Sequence, residues 1–159
     1  MADVPQPSSD TKESDKKMRE RVDKLIAQAA SESSGSITLA AKSLEYTVSA
    51  AFLPVVADGL EGALGEPEAA VMATSYALKG ADPRTRPVCF AFNGGPGSAS
   101  IWLHLGALGP KRVSTPNDAS MATAPYSVAD NPPRWLQRSP LAVLHPPTPG
   151  GPITRSRHD

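Results

Sequence analysis

The sequence predicts an α/β fold in which one helix precedes a group of strands. Three observations lead to this prediction. Apolar residues recur at helical spacing over 13–31, apolar and polar residues alternate from residue 36, and residues 88–92 are all apolar. A continuous apolar run is typical of a strand that is covered on both faces by helices. We therefore expect 88–92 to be a central strand.

The N-terminal segment, residues 1–33, is predicted to be a polar lead-in followed by an amphipathic helix. The helical stripe contains five apolar residues: Met18, Val22, Leu25, Ile26 and Ala29. Ser33-Ser34-Gly35 ends the pattern, because small polar residues and glycine favour turns over helix interiors.

The second segment, residues 34–131, is predicted to contain the strands. The two-residue period predicts a hairpin around Ala41-Lys42-Ser43, and 69–78 is a third strand candidate after a loop rich in Gly and Pro. The strand Val88–Phe92 is then followed by a turn, Asn93–Gly97, and by a short helix, Ser98–Leu105.

The third segment, residues 132–159, differs in composition from the rest. It contains seven prolines, four arginines and a single acidic residue, Asp159. Proline prevents regular strand pairing and helix interiors, so we expect this segment to be disordered. Its patternless composition is typical of translation in a shifted reading frame after about residue 131.

Overall composition excludes several function classes. The 16 basic residues balance the 16 acidic ones, which gives no electrostatic reason to expect nucleic acid or a membrane as partner. Cys89 is the single cysteine, so no disulfide within the chain and no multi-cysteine metal site is expected, and its apolar neighbours indicate an inert core thiol. The N-terminus has no apolar signal region, which makes the cytoplasm the expected location.

The segment that carries chemistry is Asn93-Gly94-Gly95-Pro96-Gly97-Ser98, between a strand and a helix. Glycines let the backbone approach a ligand closely, and backbone N–H groups beside a helix start stabilise an anion. A dinucleotide-binding loop also follows a strand and opens a helix. That alternative is disfavoured, because Ser100 replaces the third glycine and Pro96 removes a donor.

The run PVCFAFNGGPGSASIWLHLGALGPKRV resembles the oxyanion loop of the serine carboxypeptidases, specifically their bacterial members, and the resemblance extends roughly over 34–131. It implies the N-terminal part of an α/β-hydrolase fold, incomplete, and no cofactor or metal. It also implies that Gly95 donates its backbone N–H to the oxyanion, while Asn93 and Gly94 help to hold the C-terminal carboxylate of a peptide, the partner expected for an intact relative. Export of intact relatives is compatible with the resemblance.

The sequence departs from this family in three respects. Ala107 stands where eukaryotic members have a Glu that engages the carboxylate, and Ser98 stands where they have a Cys. No G-x-S-x-G nucleophile elbow occurs, and the triad Ser, Asp and His are therefore not identified. We expect a family member that is inactive as this chain; a non-catalytic peptide-binding module and a non-functional fragment are the alternatives.

Residues near the loop also have ordinary structural interpretations. We expect His104 to be a partly buried helix residue, because a catalytic base needs a nucleophile and an orienting acid. We expect Ile101 and Trp102 to serve packing. Ser98 and Ser100 are predicted to cap the start of the helix.

Overall fold

The computed structural model describes residues 9–56, 65–94, 98–116, 120, 124–131 and 134–145, apart from the side chains of 9–12, 134 and 135. The helical elements are α1 (Ser9–Ile26), a 3-10 turn (Pro83–Thr85), α2 (Ile101–Leu103) with a π-helical turn directly after it (His104–Leu108), and a 3-10 helix (Arg134–Gln137). The strands are β1 (Ser31–Leu39), β2 (Lys42–Val55), β3 (Ala69–Leu78), β4 (Cys89–Ala91), β5 (Lys111–Val113), β6 (Val128–Asp130) and β7 (Leu141–His145).

The main sheet has five strands in the order β1-β2-β3-β7-β4, and β5 pairs with β6 in a separate two-stranded sheet. The predicted hairpin is confirmed, but its turn is Ala40-Ala41, because Leu39 pairs with Lys42 and both Lys42 and Ser43 belong to β2. Both turn residues, Ala40 and Ala41, have positive φ angles of 48° and 63°, which suit the twist of a tight hairpin. The third strand is confirmed at its predicted bounds, 69–78.

The expectation that 132–159 is disordered is wrong for its residues 134–145. Strand β7 lies inside the sheet, antiparallel to β3 and parallel to β4. Leu136, Leu141 and Val143 are among the most deeply buried side chains in the described part of the chain. Five residues between prolines are enough for a strand, since both neighbouring strands satisfy its backbone hydrogen bonds. The remainder of this segment lies outside the described residues.

The predicted α/β class, and with it the α/β-hydrolase arrangement, is contradicted by this sheet. Every strand pair in it is antiparallel except β4–β7. Among the described residues the one long helix, α1, precedes the strands rather than joining parallel ones. Short hairpin-type connections make neighbouring strands antiparallel, whereas an α/β fold needs helical crossovers between parallel strands.

Strand β4 lies at the edge of the sheet, so the prediction of a central strand at 88–92 is also wrong. Because β7 pairs with β3, β4 has one neighbour and Phe90 is 63% exposed. Cys89 is exposed as well, which corrects the expectation of a core thiol. An uncharged apolar run indicates a strand but does not determine where in the sheet that strand lies.

The core lies between one face of the main sheet and the 3-10 helix. It consists of buried residues from six elements: Ile37, Tyr46, Tyr76, Ala91, Leu136, Leu141 and Val143. Helix α1 packs against β2 and β3, with Val22 fully buried. The helix predicted over 13–31 therefore exists, shifted toward the N-terminus as Ser9–Ile26. The division of the chain at residues 33 and 131 stays a prediction.

Candidate functional site

The glycine loop, Asn93–Ser98, follows β4 and Phe92, and its first residue is hydrogen-bonded to the two residues that come after the loop. The backbone N–H of Asn93 donates to Ser100 Oγ at 3.0 Å, and its side-chain Nδ2 donates to Ala99 O at 3.1 Å. Ser100 is fully buried, so this hydroxyl does not exchange its partner with water. These two hydrogen bonds therefore hold the end of the segment after β4 against the start of α2.

The residues that the resemblance implicates are only partly described. Asn93 is half-buried, and an amide nitrogen with two hydrogens can donate one hydrogen bond beyond the one to Ala99. Gly94 is exposed, with no atom within 4 Å of the position that a Cβ would take. Gly95 lies outside the described residues. Asn93 and Gly94, the two described residues, are therefore the first residues of the loop.

The serines at the loop act differently from the prediction. Ser100 precedes α2 but its side chain makes no hydrogen bond that caps the helix; it accepts from Asn93 instead. Ser98, predicted to share the capping role, lies two residues before that position. The helix itself starts at Ile101, three residues later than predicted. The hydroxyl of Ser100 therefore stabilises the loop rather than the helix terminus.

Exposed apolar side chains lie on both sides of the loop in sequence. Phe92 precedes Asn93, and Ile101 and Trp102 follow Ser100; all three are exposed, Trp102 by 75%. The expectation that Ile101 and Trp102 serve packing is therefore wrong. Large apolar side chains that are exposed to solvent can serve binding, because burying them against a partner is favourable. We call Phe92, Ile101 and Trp102 the apolar rim.

The helix after the loop contains a π-helical turn. His104 N donates to Ser100 O at 2.9 Å, and Gly109 N donates to His104 O at 2.8 Å, which spans five residues instead of four. Asn131 fixes the end of the turn, since its Nδ2 lies 2.8 Å from both Ala107 O and Gly109 O. Such widened turns are frequent at functional sites, where they reorient a side chain.

The π-helical turn directs His104 against the sheet. Its Nε2 shares a hydrogen bond with the Tyr76 hydroxyl, and its ring centroid lies 5.6 Å from that of His145 on β7. Tyr76 in turn contacts Tyr46 edge to face, with centroids 6.0 Å apart. The prediction that His104 is a partly buried helix residue is confirmed. We call Tyr76, His104 and His145 the histidine cluster.

Burial dominates the electrostatics of the histidine cluster. Desolvation lowers the pKa of His104, and the neighbouring His145 lowers it further. Desolvation likewise lowers the pKa of His145. Burial, followed by the charge of Tyr46, raises the pKa of Tyr76 to about 12. At neutral pH both imidazoles are therefore uncharged, and the Tyr76 phenol stays protonated and is a poor nucleophile.

Sequence reasoning did not find this cluster. Tyr76 occupies an ordinary position in an alternating strand, and His145 lies in the segment that we expected to be disordered. The one available signal was His104, whose position a few residues after the glycine loop makes it a neighbour of that site. Its two partners come from strands that are distant in the chain, so local spacing carries no information about them.

The described site contains no arrangement for nucleophilic or metal catalysis. Within residues 9–56, 65–94, 98–116, 120, 124–131 and 134–145, no group of three or more His, Cys, Asp or Glu side chains could hold a metal ion. The hydroxyl nearest to His104 is the phenol of Tyr76, which is not activated. The described residues offer the Asn93 amide, held by hydrogen bonds to Ala99 and Ser100, and the exposed apolar rim, an arrangement that suits binding.

Comparisons with family models, with curated proteins and with solved structures found no match to this chain. In the part of the chain that the structure describes, none of the helices combines the length and the apolar character needed to cross a membrane.

Proposed function

We propose that this chain is a relative of the serine carboxypeptidases that holds the C-terminus of a peptide and does not hydrolyse it. The observation that carries the proposal is the sequence Asn93-Gly94-Gly95-Pro96-Gly97-Ser98 directly after a strand and before a helix. The proposal concerns the loop and its flanking residues. It does not depend on the arrangement of the main sheet, which differs from the predicted one.

Neutral donors support binding of a carboxylate. Between Pro87 and Pro110 the sequence has no Asp or Glu, so no acidic side chain in this stretch repels the anion. The donors would be backbone N–H groups and the Asn93 amide, which form charge-assisted hydrogen bonds with a carboxylate. Such bonds contribute about 1.5–3 kcal/mol each when the acceptor is charged.

The apolar rim supports a preference for an apolar terminal side chain. Phe92 and Trp102 flank the loop on both sides in sequence, and the hydrogen bond from Asn93 to Ser100 brings these two flanks together. A peptide whose carboxylate occupies the loop would place its last side chain beside aromatic surface. Burial of a large apolar side chain there stabilises the complex by about 1.5–3 kcal/mol.

The absence of a G-x-S-x-G elbow in this sequence supports binding without hydrolysis. An oxyanion site without a positioned nucleophile and base retains little of the acceleration of a complete triad. We therefore expect no turnover of peptides or esters by the purified chain.

A titration with labelled peptides tests the proposal. A peptide acid that ends in Leu-Phe should bind at least about tenfold more tightly than the same peptide with a C-terminal amide, which corresponds to about 1.4 kcal/mol. Trp102→Ala should weaken binding of the acid. Tyr126→Ala is the matched control, because Tyr126 is 73% exposed, close to the 75% of Trp102, and lies outside the loop.

Equal affinities for the acid and the amide would overturn the proposal and favour a non-functional fragment. Stoichiometric labelling of a serine by a fluorophosphonate probe would instead show an activated nucleophile and refute binding without hydrolysis.

A further inference from the structure

The histidine cluster joins three parts of the chain. His104 comes from the π-helical turn, Tyr76 from β3 and His145 from β7. The rings of Tyr76 and His104 meet edge to face at 5.5 Å, and those of His104 and His145 lie tilted at 5.6 Å. The two imidazoles are thus in direct contact, and neither has a carboxylate partner in the described part of the chain.

The charged groups around the cluster do not favour a cation. From β3 the facing group is the Tyr76 phenol, and from β7 it is His145 itself. Tyr46 on β2 faces Tyr76. Strand β5 packs against the π-helical turn and supplies Lys111, which is paired with Asp130 of β6, and Arg112, which is exposed. The carboxylate of Asp130 is therefore engaged with a lysine.

Protonation of either histidine consequently opposes the packed arrangement. A charged imidazole loses solvation in this half-buried place, and a second charge 5.6 Å away adds repulsion. Protonated His104 donates from both ring nitrogens, so its Nε2 then donates to the Tyr76 hydroxyl oxygen, and this hydrogen bond reverses its direction without being lost. The desolvation and the charge repulsion disappear when the π-helical turn moves away from β3 and β7.

The glycine loop is attached to the same turn. His104 N donates to Ser100 O, and Ser100 Oγ accepts from the backbone N–H of Asn93. Displacement of His104 therefore pulls on the residue that fixes the mouth of the loop. The three residues of α2, Ile101–Leu103, separate Ser100 from His104.

We propose that His104 and His145 form a pH-sensitive switch: when they are protonated, the π-helical turn leaves the sheet and the hydrogen bond between Asn93 and Ser100 opens. The closed state is fully retained above the ordinary histidine pKa of 6.5 and is lost as the pH falls below it. The direction of this pH dependence follows from the lowered pKa of both histidines in the closed state, because the open state then binds more protons. The inference depends on the fold alone, whether or not the loop binds a peptide.

Amide hydrogen exchange of the full chain, followed by NMR, measures the switch. Between about pH 7.5 and pH 5.5, after correction for the intrinsic pH dependence of exchange, the protection factor of the Asn93 amide should fall by up to about tenfold for each histidine. Amides of the β2–β3 ladder should keep their protection. In a His104→Gln, His145→Gln double variant the Asn93 protection factor should not change over this range.

The His158→Gln variant is the matched control, because it removes the third imidazole of the chain, which the proposal does not involve. The His158→Gln variant should retain the full pH response of Asn93. A response that persists in the double variant, or that disappears in His158→Gln, would overturn the proposal. If the double variant does not fold, the ring protons of the unaltered chain decide: a folded-state pKa at or above 6.5 for both His104 and His145 contradicts the switch.

Discussion

Replacement of Leu141 by Ala tests whether β7 is part of the folded core. Leu141 is 1% exposed and pairs with Tyr76 of β3 and with Cys89 of β4. The substitution removes three carbons from the core, at about 0.8 kcal/mol each, which gives about 2.4 kcal/mol. The residual cavity adds to this loss, so we expect a decrease in the free energy of unfolding of about 3–4 kcal/mol.

Urea denaturation followed by far-UV circular dichroism provides the measurement. With a slope of about 2 kcal/mol per molar urea, the midpoint should fall by about 1.5–2 M. Leu53→Ala is the matched control, because the same atoms are removed from a side chain on β2 that is 45% exposed. Its effect should be about 1 kcal/mol or less. Equal midpoints for the two variants would refute the placement of β7 in the sheet.

Three further substitutions test local features of the fold. Gly109→Ala should lower the free energy of unfolding in urea by about 1–3 kcal/mol, because its methyl group meets the carbonyl oxygen that closes the π-helical turn. Gly94→Ala is the control: there is open space around Gly94, so the free energy of unfolding should change by less than about 0.5 kcal/mol. Ser100→Ala should lower the free energy of unfolding by about 1–3 kcal/mol and accelerate hydrogen exchange of the Asn93 backbone amide, because that amide loses its buried acceptor. An unchanged exchange rate would contradict the hydrogen bond. Ala41→Gly should stabilise the hairpin by about 1–2 kcal/mol, because φ is 63° at this position and a side chain with a Cβ is strained in that conformation. A thermal midpoint equal to or below that of the unaltered chain would show that the turn is not strained.

The elements that the sequence predicted well are those determined by local pattern. The alternation of apolar and polar residues around Leu44–Ala50 is sufficient to identify the hairpin, and ten residues of β-type composition identify β3. The first helix follows from its apolar stripe, although its bounds are shifted. In each case the information lies within one segment of the chain.

The order of the strands could not be predicted from local pattern. Leu141–His145 is short and lies between prolines, so composition alone indicates disorder there. Its role arises from pairing with β3 and β4. The nearer of the two in the chain is β4, whose Cys89 pairs with Leu141. Once β7 occupies that place, β4 lies at the edge, which neither its apolar character nor the family resemblance indicates.

The candidate site shows the same division. The glycine loop was identified from its residues, because its chemistry is contained in a short run. The hydrogen bond between Asn93 and Ser100 required knowledge of how the chain turns. The contact of His104 with Tyr76 and His145 depends on the order of the strands as well, so residue spacing in the sequence could not predict it.

The position of β7 has a consequence for how the chain folds during its synthesis. Strands β3 and β4 are made well before β7, yet β7 separates them in the finished sheet. Until residue 145 has emerged from the ribosome, both strands present unpaired backbone groups and an apolar face to the cell. The nascent chain is therefore exposed to premature pairing with other chains, and a chaperone that binds extended apolar segments would raise the yield of folded protein.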